Sequence, residues 1–177
     1  MNLTKNKYYF EALDCYPYNL ADCLEALNYA LSYDSEDSDA LCLMGRIYSE
    51  QLHDYEKAKA YFQEALACDV GNVTIPKHYA SCLLNNEDFD EALKLLDFSF
   101  KTKGIDRSNI LYWKSVYFEK LERYDDALKN LKKAKKFSYN RDMIDFLENR
   151  EKFVKSKLSK KKDSKKKTSK KKKKRTN

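Results

Sequence analysis

Histidines, cysteines and paired carboxylates are the side chains through which a chain of this size could do chemistry. Here each is sparse or wrongly spaced. The two histidines, His53 and His78, stand far apart, and no further ligand falls at a metal-binding spacing from either. The five cysteines, Cys15, Cys23, Cys42, Cys68 and Cys82, are odd in number and form no Cys-x-x-Cys pair. They are expected to be buried thiols in a reducing compartment rather than a disulfide framework. The acidic pairs Glu87-Asp88 and Asp125-Asp126 fall at helix starts, where the helix dipole favours negative charge. With three glycines in all, the chain has no glycine-rich loop to cradle a phosphate. No catalytic residue, metal or cofactor is expected.

Charge is distributed more informatively. From Lys152 to the end the chain carries +14, which with a total of +7 leaves −7 on residues 1–151. The cations of residues 159–177 are Lys160, Lys161, Lys162, Lys165, Lys166, Lys167, Lys170, Lys171, Lys172, Lys173, Lys174 and Arg175. This segment has no apolar residue with which to offset the entropy of ordering, so a disordered tail is expected. Its lysines suit either simple solvation or salt-sensitive contact with nucleic acid or ribosome through released counterions. Without an aromatic residue to stack on bases, the tail offers no sequence readout. No acyl signal or apolar anchor accompanies it, so stable membrane association is not expected. A flexible arm of this kind reaches about 25 Å, enough to touch acids such as Glu119, Glu122, Asp125 and Asp126.

The elements that must position these residues are helical. Three glycines and two prolines are too few for an all-β fold. Leu, Ala, Lys and Glu, which dominate, are good helix formers. Four small residues, Cys23, Ala58, Ala92 and Ala127, follow one another at 35, 34 and 35 residues. Three residues before each stands Leu20, Tyr55, Phe89 or Tyr124. Four after stands Leu27, Phe62, Leu96 or Leu131, and seven after stands Ala30, Ala65, Ser99 or Ala134. Those offsets share one face of an α-helix. A second helix precedes each, with its own small residue at Gly45, Ala80 and Ser115. Short polar turns join the two, as antiparallel helix pairs require. One face written four times at this period is the signature of stacked helix pairs.

The segment Ser38 to Val70, SDALCLMGRIYSEQLHDYEKAKAYFQEALACDV, resembles a tetratricopeptide repeat, with one extra residue near His53. The repeats from Val73 and Ser108 are similar but looser. In the first repeat the first helix, about residues 5–16, has Glu11 where a small residue belongs. The resemblance implies an all-α fold: a right-handed superhelical array of about four helix hairpins, a C-terminal capping helix and a disordered basic tail. The expected boundaries are a repeat domain at 1–139, with repeats at about 5–37, 38–72, 73–107 and 108–139. A capping helix follows at 140–158, with Asn140 as its N-cap, and then the tail at 159–177.

The resemblance also implies a binding scaffold whose first helices line a groove. Positions one residue after the small core residue and three before it should face that groove: Arg46 and Cys42, Ser81 and Lys77, Val116 and Tyr112. Arg46 and Lys77 could pair with an acidic peptide, with Tyr112 as an aromatic anchor. Some family members clamp a peptide carboxylate with Lys and Asn. Only Lys77 matches, Ala12, Arg46 and Ser81 replacing the Asn positions, so that activity is not implied. The expected function is a non-catalytic scaffold binding a protein or peptide in this groove, the alternative being a nucleic-acid- or ribosome-associated factor using its tail. No secretory leader or long apolar run is visible, so a cytoplasmic protein is expected, or a nuclear one in a nucleated cell.

Overall fold

The computed structural model describes the backbone of residues 6–173 and the side chains of residues 6–162. The described residues form α-helices, one π-helical turn and no strand. They divide into two compact units, Met1–Ile105 and Asp106–Asn177.

The first unit is three helix hairpins: α1 (Lys7–Cys15) with α2 (Leu20–Tyr33), α3 (Ser38–Arg46) with α4 (Tyr55–Cys68), and α5 (Ile75–Asn85) with α6 (Phe89–Ser99). The periodic residues form its core. Cys23, Leu27, Ala30, Ala58, Phe62, Ala65, Ala80, Ala92 and Leu96 are all fully buried. Where the third repeat puts Ser99 in place of alanine, the buried hydroxyl donates to the Leu95 carbonyl at 2.7 Å, so no polar atom is orphaned. The starts of α3 and α4 are capped by aspartate side chains. The Asp37 carboxylate accepts from the backbone N–H groups of Asp39 and Ala40, and that of Asp54 accepts from Lys57 N–H.

The extra residue of the second repeat has a definite place. Gly45 and Ala58 are one residue further apart than Ala80 and Ala92. Directly after α3 the chain widens into the π-helical turn Ile47–Gln51, whose Leu52 N–H reaches back to the Ile47 carbonyl at 3.1 Å. A π turn holds one more residue per bond than an α turn, and it absorbs the insertion.

The hairpin turns share one conformation. His53, Glu87 and Glu122, the residues two before Tyr55, Phe89 and Tyr124, adopt φ of 55°, 63° and 54°. Gly104, in the turn between α6, whose C-cap is Phe100, and the next helix, has φ 84°, a region that glycine enters freely.

The second unit is the hairpin of α7 (Arg107–Lys120) and α8 (Tyr124–Phe137) with the long α9 (Arg141–Lys173). Leu131 and Ala134 of α8 and Leu147 of α9 are fully buried, and Val154 of α9 is nearly so. Asn140 caps α9 as expected, accepting from Asp142 N–H at 2.8 Å.

Three expectations need correction. The small residue of the first repeat is Ala12, fully buried with Cys23 Sγ 3.2 Å from its carbonyl, while Glu11 is exposed. Ala12 and Cys23 are 11 residues apart where Ala80 and Ala92 are 12 apart, so the small residue falls one position later in α1. The helix expected to stop near residue 158 continues in the backbone to Lys173. Lysine is a good helix former and no Gly or Pro interrupts the segment. The side chains beyond 162 and residues 174–177 lie outside the described part. The cysteines are all free, but only Cys23, Cys42 and Cys82 are buried: Cys15 is half-buried, and Cys68, at the open end of α4, is exposed.

Candidate interaction surfaces

In the first unit, side chains from three hairpins converge on one carboxylate. Tyr16, just past α1, donates its hydroxyl to Glu50 Oε2 at 2.5 Å. His78 Nδ1, from α5, lies 3.1 Å from Oε1, and Arg46 Nε, from the end of α3, lies 3.4 Å from the same oxygen. The Arg46 guanidinium also sits over the Tyr16 ring, 4.6 Å from its centroid. Partial burial pushes the Glu50 carboxyl up, but the hydrogen bonds from His78 and Tyr16 and the charge of Arg46 outweigh it and hold it down at about 2. Burial pulls His78 down, and its bond to Glu50 only partly offsets this.

The expected groove residues fall around this cluster in different ways. Arg46 is half-buried and already engaged with Glu50 and Tyr16. Lys77 is exposed, and Ser81, one turn further along α5, is half-buried. Cys42 is only 3% exposed, inside the core of the unit, and cannot meet a partner. The offset that should have aimed it outward fails because neighbouring chain covers α3 almost all round: Ala40 to Gly45 are all buried. His78, set aside in the sequence as a lone histidine, belongs to the cluster. Nothing local announces it, since its partner Glu50 is 28 residues away on another element.

In the second unit Tyr112 lies on α7 with Val116 one turn on, both half-buried. The Tyr112 ring packs edge-on against Phe146 of α9 at 5.1 Å, so one edge of this expected anchor is already used by the chain itself. Burial raises its hydroxyl pKa. Further along α7, the Glu119 carboxylate is almost wholly buried between Arg150 and Lys157 of α9, the latter at 2.7 Å. One helical turn past Lys157, Lys161 donates to the Glu122 carboxylate at 2.7 Å and to its carbonyl at 3.0 Å. Of the expected tail cations, then, Lys161 is engaged while Lys160 and Lys162 are exposed. The others lie outside the described side chains. The Glu122 turn and α9 enclose a shallow pocket of about 320 Å³ lined by Asp125, Asp126 and Lys162 among others.

Among the described residues no three His, Cys, Asp or Glu side chains gather to hold a metal ion, and no helix is long and apolar enough to cross a membrane. His53 is exposed at the apex of its hairpin.

Residues 51–97, from the end of the π turn through most of α6, match the tetratricopeptide repeat. Solved structures of the same fold agree. They include MamA from Desulfovibrio magneticus RS-1, at TM-score 0.63 and 17% identity, covering 87% of this chain and 90% of that one. PilF of Pseudomonas aeruginosa is similar at TM-score 0.70 and 17% identity over 88% of this chain and 73% of that one. The first TPR of Spaghetti (RPAP3), bound to the HSP90 peptide SRMEEVD, is similar at TM-score 0.57 and 17% identity, over 71% and 96%. Among curated proteins none matches the chain in sequence. Arg46 lies on α3, and Lys77, His78 and Ser81 lie on α5, the first helices of their hairpins.

Proposed function

We propose that the chain is a non-catalytic adaptor whose first-helix face, in the unit of α1 to α6, binds an acidic segment of a protein partner. One observation carries this reading. Tyr16, Arg46 and His78, from three successive hairpins, form a donor set around a carboxylate, and in the free chain that carboxylate is Glu50. A hydroxyl, a guanidinium and an imidazole held by separate helices suit an incoming Asp, Glu or chain terminus equally well. Lys77, exposed one residue from His78, adds a cation with no fixed partner in the cluster. The SRMEEVD peptide held by the Spaghetti (RPAP3) repeat domain is itself acidic, which supports the class of ligand though not the residues that hold it.

Calorimetry with acidic peptides tests the proposal. Glu50→Gln removes the internal competitor and should tighten binding several-fold, whereas Arg46→Ala and Lys77→Ala should weaken it. Equal affinity in all three variants would rule this face out.

A further inference from the structure

A different surface carries a different inference. On α8, Lys129, Lys132, Lys133 and Lys136 are all exposed. Their spacing of three, one and three residues places them on a single side of the helix. That side is opposite the core seam of Ala127, Leu131 and Ala134, each fully buried. The four side chains form a ridge about 10 Å long. Lys129 is bonded to Asp126 at 3.1 Å. No acid among the described residues pairs with Lys132, Lys133 or Lys136, whereas their neighbour Lys135 is paired with Glu151 of α9 at 2.8 Å. Glu151 also pairs with Lys155 of α9 at 2.7 Å. Helix-dipole compensation accounts for cations in the last turn, such as Lys136. It does not account for Lys132 and Lys133, which sit further in, beside one another, in a chain whose first 151 residues are net acidic. Two residues beyond the end of α8, Tyr139 is 99% exposed, so neither face of its ring is covered.

We propose that the α8 lysine ridge and Tyr139 form a docking surface for single-stranded nucleic acid, with phosphates on Lys132, Lys133 and Lys136 and a base stacked on Tyr139. Lysines act as point charges that accept a phosphate from many directions. Recognition of carboxylates on a protein favours the bidentate fork of arginine, and the ridge contains none. A duplex keeps its bases stacked on one another and would leave the Tyr139 ring without a role. A single strand uses both features, since base–aromatic stacking is tolerant of sequence. The surface is built from the folded hairpin and does not depend on the lysines beyond residue 158.

Fluorescence anisotropy with the full chain and a labelled uridine oligonucleotide of about 15 nucleotides, over a range of salt, tests this. Lys132→Gln/Lys133→Gln/Lys136→Gln should lose about tenfold in affinity near physiological salt and reduce the logarithmic salt slope by about 2, three phosphate contacts at about 0.7 each. Tyr139→Ala should weaken binding about fivefold or more with the slope unchanged. Wild-type affinity and slope in both variants would overturn the proposal and leave any binding to the tail. So would equal affinity of the unaltered chain for polyglutamate, which would mark the ridge as a face for acidic protein. If circular dichroism shows the triple variant misfolded, Tyr139→Ala decides alone, because a wholly exposed ring has no packing to lose, and unchanged affinity there overturns the proposal.

Discussion

The ring of Phe62 occupies the space that a methyl group on Gly45 would need: an added Cβ would stand 2.9 Å from both Cδ1 and Cε1. Phe62 is fully buried and cannot swing aside. The glycine thus marks the crossing of α3 and α4. Gly45→Ala should therefore destabilise the first unit even though alanine is the better helix former by about 1 kcal/mol. Overpacking costs about 1–3 kcal/mol, so a net loss is expected, larger for Gly45→Leu. Chemical unfolding of Gly45→Ala alone and with Phe62→Leu checks the cause: the second change should recover part of the loss.

The three left-handed turn residues are a strain that glycine would relieve. Glu87 at φ 63° carries a Cβ in a region that costs an ordinary residue about 1–2 kcal/mol, against a smaller entropic cost of glycine. Glu87→Gly should raise stability by up to about 1 kcal/mol. An unchanged or lowered unfolding midpoint would contradict this.

The Glu50 cluster makes stability depend on acid. A carboxyl held at about 2, against an ordinary 4.5, contributes stability that is fully present above 4.5 and is lost as the pH falls toward 2. His78 acts in the same direction at higher pH. Its folded pKa lies below the ordinary 6.5, so protons bind the unfolded chain first and stability begins to fall as the pH drops through 6.5. Unfolding midpoints measured from pH 8 to 2 should decline in both windows. Glu50→Gln should flatten the lower one.

Thiol chemistry should separate the cysteines by environment. Burial raises the Cys23 and Cys82 thiols to about 11, so neither supplies thiolate at neutral pH. Cys68 is exposed and Cys15 half-buried. A thiol reagent on the native chain should modify Cys68 first and leave Cys23, Cys42 and Cys82 until unfolding, as mass spectrometry of the labelled peptides would show.

Removal of Glu119 should loosen α9. Its carboxylate is the shared partner of Arg150 and Lys157, and hydrogen bonds to charged groups contribute about 1.5–3 kcal/mol. Glu119→Ala should accelerate amide exchange in the second half of α9 more than in α7 or α8.

The architecture was legible because it is periodic. Cys23, Ala58, Ala92 and Ala127, with their partners four and seven residues on, are all fully buried, as a single helical face requires. What escaped the sequence depends on contacts between elements. The periodicity places Cys42 on an outward face, but that holds only where α3 has an uncovered side. The Glu50–His78 and Glu119–Arg150 bonds join residues 28 and 31 apart, and neither leaves a trace in local spacing. Tyr112 stands on the first helix of its hairpin, where the spacing places it, while its contact with Phe146 depends on α9 and leaves no trace in the spacing of α7.

The π turn at Ile47–Gln51 has a geometrical meaning of its own. An extra residue in an α-helix rotates everything after it by about 100°, enough to swing a buried face to solvent. Here the phase error is confined to a single turn. Gly45 before it and Ala58, Phe62 and Ala65 after it all stay on their inward bearings. The misalignment is discharged within the turn itself, and Glu50 is the side chain that stands there. The carboxylate that gathers Tyr16, Arg46 and His78 thus sits at the splice between two correctly phased helices, where a residue could be added without disturbing the interior.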